Sequence, residues 1–144
     1  MQQALVWRLE GSDGLGPYRT GSWDNVPNQD ACSLSIYYGS SNPSPCEEGL
    51  GRIENNDRFG FASLSCARNW WFSPEDLEAW ARYGFVLVAY RQSDCLNIRR
   101  GPRQCVFQLE PHAKSAKFPC DALHTVADDE LQVQALVQIN NRPM

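Results

Sequence analysis

The side chains that could do chemistry in this chain are few and scattered. Its histidines are His112 and His124, and neither belongs to an HExxH pair. No serine stands in a Gly-x-Ser-x-Gly elbow, so spacing alone predicts neither a zinc protease nor a serine hydrolase. The cysteines are Cys32, Cys46, Cys66, Cys95, Cys105 and Cys120, with no pair at zinc-knuckle spacing. They read as reduced thiols, several packed as small apolar side chains. Cys66 would lie near a helix N-terminus, where a thiolate is favoured. Arg99-Arg100-Gly101-Pro102-Arg103 gathers three guanidiniums in a basic turn that could hold a phosphate or an acidic partner. Its alternative reading is a solvated hairpin end. Trp70, Trp71 and Trp80 could stack on bases or pack a core. Among the carboxylates, Glu47, Glu48, Glu54 and Asp57 fall in a polar stretch, with Glu47 and Glu48 available to a basic partner. Glu110 ends an apolar run beside Pro111. No carboxylate pair is forced into general acid and base roles.

The elements that must position these groups can be read locally. Ala4–Glu10 and Phe85–Tyr90 read as strands, the second largely buried. Ser33–Tyr38 alternates and predicts a short strand, whereas Gly11–Ser22 and Gly39–Asp57 read as loops. Ser63 or Ser65 could cap a short helix through Cys66–Trp71. Ser73, Pro74, Glu75 and Asp76 have the order of N-cap, first helical position and acidic first turn, and Gly84 has the place of a C-terminal stop. Gln104–Glu110 predicts another strand. Residues 112–127 read as irregular. Leu131, Val133, Ala135, Val137 and Ile139 alternate with polar residues, which predicts a final strand. The acidic lead-in Asp128-Asp129-Glu130 is the argument for a helix there. Together these predict a single α+β domain: a mostly antiparallel sheet with one or two helices packed on it.

Composition sets outer bounds. At 144 residues and 42% hydrophobic, the chain can bury a real core. A formal charge of −4 argues against an overall grip on nucleic acid and suits a basic protein partner. No apolar run reaches the ~18 residues of a membrane span. Met1-Gln2-Gln3 does not open a secretion signal, so the expected location is the cytoplasm.

Three segments, in order, resemble the ADP-ribosyltransferase pattern. That family has an Arg or His on an early strand, a Ser-Thr-Ser-like segment mid-chain and a glutamate at a late apolar strand. Trp7-Arg8 takes the first place and Phe61-Ala62-Ser63-Leu64-Ser65 the second. Arg103-Gln104-Cys105-Val106-Phe107 takes the third, with glutamine where glutamate is expected. The resemblance implies a split antiparallel sheet that binds NAD in a cleft. Arg8 would orient the diphosphate or ribose, and Ser63 would support the nicotinamide ribose. A carboxylate would stabilise the oxocarbenium-like transition state. Gln104 cannot supply that charge. Either Glu110 does, or the protein holds a nucleotide without turning it over.

Gly60-Phe61-Ala62-Ser63, Trp71-Phe72 and the strand Gly84-Phe85-Val86-Leu87-Val88-Ala89-Tyr90 are similar to segments of phage and prophage accessory proteins of the anti-defence type. That resemblance implies plain binding, in the cytoplasm of the host cell if a phage encodes the protein. The residues therefore leave three readings: a protein-binding inhibitor needing no cofactor, an NAD-binding ADP-ribosyltransferase-like protein, and a single-stranded nucleic-acid binder. In the first, Arg99, Arg100, Arg103, Glu47 and Glu48 would meet the partner.

Overall fold

Strand β1 (Leu5–Glu10) is buried at every position, which requires cover on both faces. A computed structural model, which describes residues 4–11, 49–51, 56–71 and 74–141, shows that cover. β1 pairs antiparallel with β3 (Val86–Arg91), Leu5 opposite Arg91 and Glu10 opposite Val86. β3 pairs on its other side with β6 (Ser115–Phe118). A second antiparallel sheet sets β5 (Cys105–Leu109) between β2 (Arg58–Gly60) and β4 (Cys95–Arg100).

Because successive side chains of a strand face opposite ways, β1 serves two cores. Leu5, Trp7 and Leu9 enter a helix-side core with Leu87, Ala89, Ala116 and Phe118. Val6, with Val88 and Tyr90, meets Cys95, Cys105 and Phe107 of the second sheet. The sheets also touch edge to edge. Trp7 and Phe61 exchange both backbone hydrogen bonds, N to O at 2.9 and 2.8 Å. Gly60 permits this approach: a Cβ there would lie 2.7 Å from Val6 Cγ1 and 2.9 Å from the Trp7 carbonyl oxygen.

The helices close the outer face of the first sheet. In α1 (Leu64–Trp70), the Ser63 hydroxyl accepts from the Cys66 N–H at 3.1 Å, the expected N-cap. α2 (Pro74–Arg82) carries Glu75 and Asp76 in its first turn and buries Leu77 and Trp80. Its expected cap, Ser73, lies outside the described residues. Gly84 ends it at φ +87°, with Phe85 N–H bonded to Trp80 O and Gly84 N–H to Ala81 O, the Schellman closure. The Trp80 ring meets Phe85 edge-on at 4.8 Å.

The α+β expectation holds, with antiparallel pairing throughout both sheets. Two local expectations fail. Residues 112–127 contain β6 and a short helix α3 (Ala122–Thr125). The segment read as a final strand is helix α4 (Asp128–Asn141). Leu131, Ala135 and Ile139 are two-residue alternants, but they also stand four apart. On a helix they form one stripe, and all three are fully buried. Val133 and Val137, which a strand would have placed beside them, are 49% and 52% exposed. Burying Leu131 and Ile139 stabilises the helix by about 1.5–3 kcal/mol each. The acidic first turn meets the positive end of the helix. The strand expected at Ser33–Tyr38 and most of the two expected loops lie outside the described residues.

Candidate functional site

Arg8 and Glu10 stand two apart on β1, so both side chains leave the same face, toward the second sheet. They are 3% and 6% exposed. Arg8 Nε lies 3.2 Å from Glu10 Oε2, and the Tyr90 hydroxyl donates to the same oxygen. Burial, first, and then the Glu10 charge raise the Tyr90 pKa, keeping the phenol protonated. The result is a buried carboxylate held between a guanidinium and a phenol. The spacing Arg8-x-Glu10 in an apolar strand was a sequence signal for this pair.

Ser63 lies on the other side of the sheet. It lines a hollow of about 400 Å³ with Leu5, Trp7, Ser65, Asp128, Asp129 and others. Leu5 and Trp7 alternate with Arg8 along β1, so Arg8 and Ser63 face opposite ways. Gln104 is 4% exposed just before β5, its carbonyl accepting from Gly101 N–H at 2.8 Å. Glu110 is exposed just past the other end, with its N–H on Asp94 O. At ~3.3 Å per residue, Gln104 and Glu110 stand about 20 Å apart. Arg8, Ser63, Gln104 and Glu110 therefore do not gather in one cleft.

The basic segment also divides. Asn97 to Arg100 belong to β4, and the turn itself is Gly101 to Gln104. Arg99 binds Asp57 at 2.7 Å and the Leu50 carbonyl at 2.6 Å. Asp57 is 2% exposed and accepts from Gln108 as well, at 3.1 Å. Arg100, next along the strand, donates to Gln92 Oε1 at 2.7 Å. Arg103 borders a smaller hollow of about 130 Å³ with Cys66, Asn69, Trp70 and Pro102. The Arg99–Asp57 pair had no local signal, since its members come from distant segments. Glu47 and Glu48 lie outside the described residues.

The remaining candidates are structural by position. Trp70, Trp71 and Trp80 are 4%, 3% and 0% exposed, which leaves no ring face for a base. Cys66, Cys95, Cys105 and Cys120 are free thiols. Burial pushes Cys95 up to about 11 and Cys105 and Cys120 up to about 12, the opposite of thiolate activation. His124 Nε2 donates to the Trp71 carbonyl at 2.7 Å, tying α3 to the end of α1. Among the described residues no three His, Cys, Asp or Glu side chains form a group that could hold a metal ion. No described helix is long and apolar enough to cross a membrane.

Comparison with known proteins gives one result. No curated protein and no solved structure matches the chain. A family profile described as Bacteriophage T4 Y00F protein matches residues 1–121, well over half of the sequence. The chain belongs to that phage protein family.

Proposed function

We propose that this phage-family protein works by binding a protein rather than by catalysis. It occupies a basic surface of a host complex, of the kind used in defence, and so inhibits it in the host cytoplasm. One observation carries the reading: Arg8, Ser63, Arg99 and the buried thiols, groups that a nucleotide site or a nucleophile would draw on, are engaged in holding the fold. Arg8 is paired with Glu10, Ser63 caps α1, Arg99 is paired with Asp57, and the buried thiols are held protonated. The formal charge of −4 favours a basic partner. An ADP-ribosyl transfer would need a carboxylate where Gln104 stands, and Glu110 lies a strand's length away.

The test is a paired measurement. Calorimetric titration of the purified protein with NAD is expected to give no binding heat at millimolar ligand. Cross-linked capture from infected bacteria is expected to recover one host complex in stoichiometric amount. NAD binding that disappears in Ser63→Ala would overturn the binding-module reading in favour of a nucleotide site.

A further inference from the structure

Helix α4 has two faces, and the fold uses one. Leu131, Ala135 and Ile139 are fully buried in the helix-side core. At about 100° per residue, Asp129, Glu130, Val133, Val137 and Asn140 gather on the opposite side, within about 100° of arc. Among the described residues, the exposed large hydrophobic side chains are Leu96, Val133 and Val137. Two of these three therefore stand one turn apart on the outward face of a single helix. Helix formation does not call for them. A β-branched side chain is a poorer helix former than the alanine or glutamate that could hold an exposed position.

The charge on this face has one sign. α4 carries Asp128, Asp129 and Glu130 in its first turn and no lysine or arginine through Asn141. Arg68 pairs with Asp128. The helix end itself contributes about half a positive charge. Three carboxylates less these two contributions leave about −1.5 charges, and the excess sits on Asp129 and Glu130, both exposed. Asp129 also borders the hollow of about 400 Å³ that Ser63, Ser65, Asp128 and Gln132 help to line. Hydroxyl and carboxylate oxygens accept hydrogen bonds, so this lining suits an ammonium or guanidinium head.

The apolar pair marks the surface, and the carboxylates beside it say what covers it. We propose, resting on the protein-binding reading above, that the outward face of α4 is the docking surface and that its occupant is a basic amphipathic segment of the host protein. That segment sets apolar side chains on Val133 and Val137 and a lysine or arginine in the hollow beside Asp129. The apolar contact anchors it, and the carboxylates select its sign and steer its approach.

The experiment places the photo-cross-linking residue p-benzoylphenylalanine at position 133 of the full chain, or at position 96 as the control, during infection. Leu96 is the matched control because it is also apolar and exposed, but it lies on β4 of the other sheet. Light is expected to join position 133 to one host protein through a lysine- or arginine-rich peptide, and position 96 is expected not to join that protein. In parallel, Val133→Lys and the pair Asp129→Asn with Glu130→Gln are each expected to cut recovery of that protein about tenfold or more. Their urea midpoints should match the parent, and Leu96→Lys should leave recovery unchanged. Val137→Lys replaces Val133→Lys if the latter fails to fold. In the purified protein, Val133→Cys is expected to alkylate within about tenfold of its rate in unfolded chain, as an uncovered position should.

Cross-linking to the host protein from position 96 and not from 133 overturns this surface while leaving the protein-binding reading intact. A host protein found at neither position overturns both. A cross-linked peptide without basic residues, or undiminished recovery in a folded valine variant, overturns the stated occupant. So does slow alkylation of Val133→Cys, which would mean that the chain covers its own helix. So does self-association of the purified protein that Val133→Lys abolishes, which would put a second copy there.

Discussion

Gly60→Ala tests the joint on which both cores depend. A Cβ at residue 60 would lie 2.7 Å from Val6 Cγ1, 2.9 Å from Trp7 O and 3.0 Å from Phe107 Cε1. The Val6 methyl could shift, but the Trp7 oxygen is backbone. It is also the acceptor for Phe61 N–H at 2.8 Å. Moving it away loosens the bridge between the sheets. Overpacking costs about 1–3 kcal/mol and the weakened bridge about 1 kcal/mol more, so about 2–4 kcal/mol in all. At roughly 4 °C per kcal/mol for a chain of this size, Tm falls by about 8–16 °C. Gly84→Ala is the comparison. Among the described residues nothing lies within 4 Å of a Cβ there, and the cost is that of φ +87°, about 1–2 kcal/mol. The two positions separate further with asparagine. Asn tolerates the left-handed conformation at residue 84, but at residue 60 it is larger and worse. Urea and thermal denaturation followed by circular dichroism measure all four variants. A Gly60→Ala protein within about 2 °C of the parent, or one less affected than Gly84→Ala, would refute the steric argument.

Four further outcomes follow from the packing. Leu131→Ala and Ile139→Ala each lose about 2–5 kcal/mol in urea unfolding, while Val133→Ala and Val137→Ala change it by under about 0.5 kcal/mol. A strand over these residues would make all four costly. Asp57→Ala leaves Arg99 and Gln108 without their shared acceptor and costs about 2 kcal/mol in the same assay. Asp57→Asn, which keeps one acceptor oxygen, costs less. The pH dependence follows from the thiols. Folded pKa values of about 11 to 12, above the ordinary thiol value near 9, favour the protonated form in the folded state. Their contribution is therefore complete below about pH 9. It is lost as pH rises from there toward 11–12, by up to about 1.4 kcal/mol per unit for each thiol. Stability measured across pH 8 to 11 should fall, and Cys105→Ala and Cys120→Ala should each flatten the fall. In timed alkylation of the native protein, Cys66 should label ahead of Cys95, Cys105 and Cys120.

What could be read from the sequence was what short-range physics decides. The acidic start of α2, its Gly84 stop and the apolar run of β3 are local signals, and the structure follows them. The serine cap at residue 63 is local too. α4 escaped because a stripe at spacing four is contained within an alternation of spacing two. Only the exposure of Val133 and Val137 separates the two readings, and exposure is a tertiary fact. β6 escaped because four residues, Ser-Ala-Lys-Phe, carry too little pattern. The candidate site divides in the same way. Arg8 and Glu10 share a face by strand geometry alone, so their pairing was legible. That Arg8 and Ser63 lie on opposite sides of one sheet, and that Arg99 reaches back to Asp57, depends on how distant segments dock. The order of three motifs along a chain says nothing about whether they converge.

The claim that the protein acts by charge-complementary binding is tested most directly by salt-titrated capture from infected bacteria, with NAD consumption followed in the same eluates. The account predicts one basic host complex held in stoichiometric amount near 0.1 M salt. It should be released toward about 1 M, where the screening length falls from about 10 to about 3 Å, with NAD unchanged. A stoichiometric partner missing at low salt, or NAD consumed by the purified protein, would contradict it.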